Sequence, residues 1–198
     1  MTTASSPRRI GAEDSNTRAQ LLDAAEQLLL EEGYAAVTSR RVAAAAGLKP
    51  QLVHYYFRTM DDLFLAVFRR RADEGFALFA RALDEQPSLR TIWNSLNVGS
   101  GARFNLEFVA LANHRKAIRA EIASYAERFR TLQLEAIESI LSQREASGVG
   151  ALPDGMTPEV VLVIMAGVAQ LIALERPLGV SGGHDATLAF IEQYLDNP

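Results

Sequence analysis

The sequence predicts an all-α protein in which a small N-terminal three-helix helix-turn-helix unit precedes a larger helical domain, about nine helices in all. Three observations carry that prediction. Apolar residues recur at helical spacing through most of the chain, and no alternating run bounded by turn signals marks a strand. Residues 38–57, TSRRVAAAAGLKPQLVHYYF, read as two short helices meeting at Gly47. The 198 residues, 48% of them hydrophobic, can bury a core large enough for one small and one larger helical domain.

Residues 1–16 are rich in Ser, Thr and Ala, carry only Arg8 and Arg9 as bases, and lack the apolar core of a secretion signal, so they read as a mobile tail. Thr38 then offers its hydroxyl to the free amides of a second helix that starts at Ser39 and runs through the Ala43 to Ala46 run. Gly47 ends that helix, because a reversal within a few residues needs the left-handed backbone that glycine adopts without penalty. Pro50 restarts it, since its missing amide has no intrahelical partner to lose in a first turn.

In the restarted helix Val53, Tyr56 and Phe57 are spaced to face the core. The opposite face then holds Gln51, Leu52, His54 and Tyr55, with Lys49 before it, Arg58 after it, and Arg40 and Arg41 on the preceding helix. From Thr38 to Arg58 there are four basic residues and no acid, yet the whole chain is −4, so the remainder carries −8. A local cationic patch on an acidic protein suits phosphate contacts better than general adhesion to polyanions. Thr38, Ser39, Arg40, Arg41, Lys49, Pro50, Gln51, Leu52, His54, Tyr55 and Arg58 are therefore the expected contacts to a double-stranded DNA operator, with Gln51 and Tyr55 reading bases.

Residues 17–68, from TRAQLLDAAEQ through VHYYFRTMDDLFLAVF, resemble the DNA-binding domain of the TetR family of transcriptional regulators. The resemblance rests on the first helix, the Glu32-Gly33-Tyr34 stop, Val42-Ala43, Ala46-Gly47 and Tyr56-Phe57. It departs from the family pattern at His54-Tyr55-Tyr56-Phe57, where Tyr-Tyr-His-Phe is common, and at Met60, where a phosphate-binding lysine is frequent. Thr59 and Asp62 still form a helix start of the S/T-x-x-D/E kind.

The predicted organisation is a tail over 1–16, a DNA-binding domain over 17–62 and a ligand-binding and dimerisation domain over 63–198. A fourth helix is expected from Met60 to about Asp84, with Leu63, Val67 and Phe68 against the motif and Phe76, Phe79 and Leu83 nearer the larger domain. A fifth follows from Ser88, Gly99-Ser100-Gly101 interrupts, and a sixth spans about Ala102 to Asn113. A seventh runs from Arg115 to Ser147, an eighth opens at Thr157-Pro158-Glu159, and a ninth follows Gly182-Gly183.

Val160 to Leu174 is apolar except for Gln170 and, at 15 residues, falls short of a membrane span. A helix apolar all round must be covered on every side, and Ala166, Gly167, Ala169 and Ala173 would let a second backbone approach. The TetR resemblance implies that the eighth and ninth helices pair across a two-fold axis, which adds Phe190 to the expected homodimer interface. A ligand pocket is expected among Trp93, Asn97, Phe104, Phe108, Tyr125, Phe129, Met165 and Gln170, with Arg103, Asn105 and Glu107 as further polar candidates. Its effector is expected to be a small apolar or amphipathic molecule.

Catalysis finds little support. His54, His114 and His184 are scattered, and H-E-x-x-H, G-x-S-x-G and phosphate-binding glycine loops are absent from the sequence. No catalytic residue, cofactor, metal site or membrane partner is expected. With no cysteine in the chain, a reducing cytoplasm is the simplest location. A helical scaffold without DNA binding is the alternative, and it leaves Gln51, His54 and Tyr55 beside a basic patch unexplained. The reading is a ligand-responsive, dimeric regulator, most often a repressor in the resembling family.

Overall fold

The computed structural model describes residues 16–96, 99–148 and 155–196, and among these it contains nine α-helices and two 3₁₀ turns with no strand. The helices are α1 (Asn16–Glu32), α2 (Ser39–Ala45), α3 (Pro50–Tyr56), α4 (Met60–Glu85), α5 (Leu89–Leu96), α6 (Gly99–Ala112), α7 (Lys116–Ala146), α8 (Pro158–Glu175) and α9 (His184–Asp196). Gly99, Ser100 and Gly101 form the first turn of α6, whereas the sequence suggested a break there. A first turn tolerates glycine because its amides have no intrahelical partner to hold them. Arg8 and Arg9 lie outside the described residues.

The chain divides into two compact units. The first contains the described residues up to Arg71 together with Glu107–Arg119. The sequence expectation ended this unit at Asp62; packing carries it to Arg71, because Leu63, Phe64, Val67 and Phe68 are all buried. Its core also holds Leu21, Leu29, Val42, Val53 and Phe57 from the three N-terminal helices, and Phe108, Leu111 and Ile118 from later in the chain. Arg70 ties α4 to α1 through Asp23 at 2.6 Å and Glu26 at 2.9 Å, and these carboxylates raise its already high pKa against the opposing effect of burial.

The second unit comprises the described residues of Ala72–Leu106 and Ala120–Pro198. Phe79, Leu89, Ile92, Trp93, Ile137, Ile140, Val161, Leu162, Met165 and Ala169 form one buried cluster, with Leu188, Ile191 and Leu195 of α9 against it. Local caps set the helix starts. The Ser88 hydroxyl accepts from the Thr91 amide at 3.1 Å, and the Thr157 hydroxyl accepts from the Val160 amide at 3.5 Å.

Candidate functional site

In the first unit, α2 and α3 are placed by three local devices that the sequence spells out. The Thr38 hydroxyl accepts from the Arg41 amide at 3.4 Å and so caps α2. At the other end Gly47, with φ of 68°, donates to the Ala44 carbonyl at 3.1 Å while Leu48 donates to the Ala43 carbonyl at 2.8 Å. These two bonds form a Schellman closure, which satisfies carbonyls that the helix end would leave unpaired. Pro50 stands at the start of α3, and Thr59 and Asp62 cap α4 reciprocally, at 3.0 and 3.1 Å.

Val53 and Phe57 are buried, as their spacing requires, whereas Tyr56 is only half-buried and meets the Tyr55 ring edge-on at 5.0 Å. Gln51, His54 and Tyr55 are exposed on α3, with Lys49 and Pro50 before them, Arg58 after them and Arg40 on α2. Leu52 and Ser39 are half-buried, and Thr38 is exposed but occupied as a cap. Arg41 departs from expectation: its guanidinium pairs with Glu32 at the end of α1, so this cation is already partly neutralised. Among the described residues Arg40, Lys49 and Arg58 form no ion pair. Sequence reasoning missed Arg18, whose guanidinium lies over the Phe57 ring at 5.3 Å and adds a cation near the end of α3. Nothing in local sequence links two residues so far apart.

The residues expected to line one ligand pocket divide between the two units. Phe108 belongs to the first unit, where it packs on Phe64 and Phe68 at 6.4 and 5.2 Å. Glu107 also belongs to that unit and accepts a hydrogen bond from the Tyr34 amide. Trp93 and Met165 are in the second unit's buried cluster, Phe104 is buried in the same unit, and Arg103, Asn105 and Gln170 are exposed. Asn97 lies outside the described residues.

What the second unit does assemble is an aromatic group on α4 and α7. Phe76 lies 6.0 Å from Tyr125 and 5.1 Å from Phe129, which in turn lies 5.1 Å from Phe79. Arg128 sits over both Phe76 and Tyr125, at 5.1 and 5.2 Å, in the position a cation takes on a π face. The Tyr125 hydroxyl donates to Asp73 at 3.4 Å. Burial raises the Tyr125 pKa, Asp73 and Glu121 raise it further, and Arg128 lowers it. Gln133, two turns beyond Tyr125 on α7, is buried with its amide nitrogen lacking a partner among the described residues. It was not among the sequence candidates.

The outer side of α8 is apolar. Val160, Val163, Ile164, Leu171 and Leu174 are exposed at helical spacing around Gly167, and Leu178 of the following turn and Phe190 of α9 are exposed as well. Ala169, expected at the subunit interface, instead faces the buried cluster because it shares a strip with Leu162, Met165 and Ile172; Ala166 and Ala173 are half-buried. Counted with its flanking turn, Pro158–Leu178 is 21 residues and contains an 18-residue window of mean hydropathy 1.8, long and apolar enough to cross a membrane by length and composition. The expectation that this run falls short of a span counted only its uninterrupted part. Val161, Leu162, Met165, Ala169 and Ile172 are nevertheless buried in the second unit, which leaves the opposite stripe exposed.

Comparison with known proteins agrees with the motif. Residues 21–67 match the family of bacterial regulatory proteins, tetR family. The transcriptional regulator BetI of Brucella suis is 31% identical over 161 residues, covering 75% of this chain and 81% of that protein. BetI of Rhizobium meliloti is 28% identical over 161 residues, covering 75% and 79%. Among solved structures, a TetR transcription regulator from Haloarcula marismortui superposes with a TM-score of 0.68 at 20% identity, covering 91% of this chain and 97% of that one. A regulator from Saccharomonospora viridis in complex with choline gives 0.75 at 18%, covering 90% and 97%. A helix-turn-helix with an outward polar face, a second unit whose described residues are helical and relatives of this kind have one reading: the chain is a DNA-binding transcriptional regulator, not an enzyme, and belongs to the TetR family.

Proposed function

We propose that this regulator is a homodimeric repressor that holds a palindromic operator until an amphipathic effector releases it. The observation that carries the reading is the exposed row Gln51, His54 and Tyr55 on α3, flanked by Arg40, Lys49 and Arg58, which form no ion pair among the described residues. A Gln amide can bond both edge atoms of an adenine, and a tyrosine ring can lie on a thymine methyl. The three cations meet phosphates and set register without reading sequence. Two copies joined along the apolar stripe of α8 and α9 would present two such helices to half-sites about one helical turn apart. Such a regulator acts in the cytoplasm, where the chromosome is.

Gel shift on the DNA upstream of the protein's own gene tests the reading, with salt titration as its quantitative arm. Neutralising Arg40, Lys49 or Arg58 should make the log–log salt slope shallower by roughly one unit per contact per subunit. An unchanged slope for all three would remove them from the interface.

For the effector, the reading is an organic cation with an apolar body. Phe76 and Tyr125 already hold the Arg128 guanidinium, with Asp73 and Glu121 beside them, and Phe79 and Phe129 offer apolar surface behind. The choline in the Saccharomonospora viridis structure supports the same class. A thermal-shift series with choline, larger quaternary amines and uncharged isosteres checks it. Stabilisation by the neutral isosteres alone would refute the cationic end. α4 runs unbroken from Met60 to Glu85, which makes it the candidate route from Phe76 to the motif. Coupling is limited by differential affinity, about 5.5 kcal/mol for a swing from 1:99 to 99:1. Operator must then weaken effector binding by the same factor by which effector weakens operator binding.

A further inference from the structure

The connection between α1 and α2 fixes where the DNA-reading helices start, and one amide in it has an unusual acceptor. In the 3₁₀ turn Tyr34–Ala36, Gly33 takes φ of 83° and provides no side-chain cap. The Gly33 amide is used by Leu29 and the Ala36 amide by Gly33, at 3.0 and 3.1 Å. The Tyr34 amide instead donates to Glu107 Oε2 of α6 at 2.8 Å, across 73 positions of sequence. Glycine at position 33 leaves the carboxylate room: a Cβ there would stand 3.2 Å from Oε2 and 3.5 Å from Oε1, tight enough to push it back by a few tenths of an ångström.

The same stretch of chain is fastened to α4. Phe108, the next residue, packs on Phe64 and Phe68, and Arg115 pairs with Asp61 while lying 5.7 Å from the Phe64 ring centre. Phe108 and Arg115 therefore grip α4, and Glu107 grips the α1–α2 connection. A carboxylate accepting a backbone amide in a partly buried place gives a directional bond that a small slide or rotation of its helix would break. Residues 99–106 of the same helix belong to the second unit, so α6 is one continuous element with Glu107 at the start of its motif-bound half.

We propose that Glu107 is a latch for DNA recognition: its carboxylate holds Tyr34, and through it the start of α2, in the register that operator binding needs. Displacement of α6 opens it. This deepens the reading of an effector-released DNA-binding protein and depends on it for the operator arm of the test, but the latch has a readout of its own.

Amide hydrogen exchange at Tyr34 is that readout. Glu107→Ala should speed exchange of the Tyr34 amide about tenfold relative to the wild-type protein, the lower end of what a hydrogen bond to a charged group contributes. Glu107→Gln keeps a carbonyl acceptor and should fall between the two. With duplexes selected from a random pool by the wild-type protein, Glu107→Ala should lose about tenfold in affinity while its affinity for an unselected duplex stays the same, and Glu107→Gln should recover part of the loss. Unchanged Tyr34 exchange overturns the proposal, as does equal loss on selected and unselected DNA, or no loss on either. If the wild-type protein selects no duplex at all, the regulator reading fails, and Tyr34 exchange still decides whether the latch exists.

Discussion

Helices α3 and α8 each leave one side uncovered, and the two open sides ask for opposite kinds of partner. On α3 the open residues are Gln51, His54 and Tyr55, beside cations. These groups are polar or amphipathic and exposed, so the surface loses little by standing open, and what it gains from DNA falls as salt rises. On α8 the open residues are Val163 and Leu171, 57% and 51% exposed, with Ile164 and Leu174 beside them and Phe190 of α9 at 70%. An apolar stripe of that extent marks an association site, and each such side chain contributes roughly 1.5–3 kcal/mol when fully covered. The first surface suits a partner that comes and goes. The second suits one that stays, and the self-complementary choice is a second copy of the chain.

The strongest test of this contrast is a charge in the middle of the stripe. Leu171→Glu should abolish the proposed dimer, since two-fold symmetry would place the buried, unpaired carboxylate in both copies, at a cost on the order of 3 kcal/mol each. Sedimentation in low and high salt would show the monomer in both, with the helical circular dichroism of the fold retained. A dimer that survives the substitution would assign the stripe to some other partner. On α3, Gln51→Ala should cost about 1–3 kcal/mol on the cognate operator and much less on unrelated DNA, leaving dimerisation untouched. If both duplexes lose equally, Gln51 positions the protein and reads nothing.

The two regions also differ in how far their sequence can be read. Around α3 every decisive feature is local: Thr38 caps a helix three residues on, Gly47 closes it, Pro50 opens the next, and Val53 sets the buried face by spacing. Such devices act within one or two turns and leave their mark in the residue order. Arg41 escapes, because its partner Glu32 sits on another helix and charge alone does not name a partner. In the second unit the helices themselves were legible, but their faces were not. An apolar run such as Val160 to Leu174 carries too little polarity contrast to show which side meets the core, so Ala169 read as an interface residue although it packs inside. Phe108 read as a pocket residue for a similar reason: spacing pairs it with Phe104 on α6 but cannot show that Phe64 and Phe68 cover it. Gln133 gave no signal, being a polar residue on a polar-looking helix until burial singled it out.

A smaller effect separates backbone from side chain at the turn. Gly47→Ala introduces a Cβ that meets nothing within 4 Å, so its only penalty is the left-handed backbone at φ of 68°. That should cost about 1 kcal/mol of stability by chemical denaturation. A loss of operator affinity beyond that stability change would show that the angle between α2 and α3 also feels the strain.

The smallest expected effect lies in the aromatic group of the second unit, and it is a titration. Burial, then the negative charge of Asp73, raises the Tyr125 phenol above its ordinary value, so the folded chain holds that proton more tightly than the unfolded chain does. The sign follows from this: the contribution to stability is fully present below the ordinary phenol pKa of about 10 and is lost as pH rises through the raised value. Phenolate absorbance of the wild-type protein minus that of Tyr125→Phe isolates this group from the other tyrosines. Asp73→Asn should bring its midpoint down, and Arg128→Gln should push it higher, because the guanidinium over the ring favours the phenolate. If choline displaces Arg128 from the two rings, it brings its own positive charge to the same place, and the midpoint should move far less than in Arg128→Gln. A midpoint that responds to neither substitution would separate Tyr125 from its charged neighbours and remove the electrostatic basis for a cationic effector there.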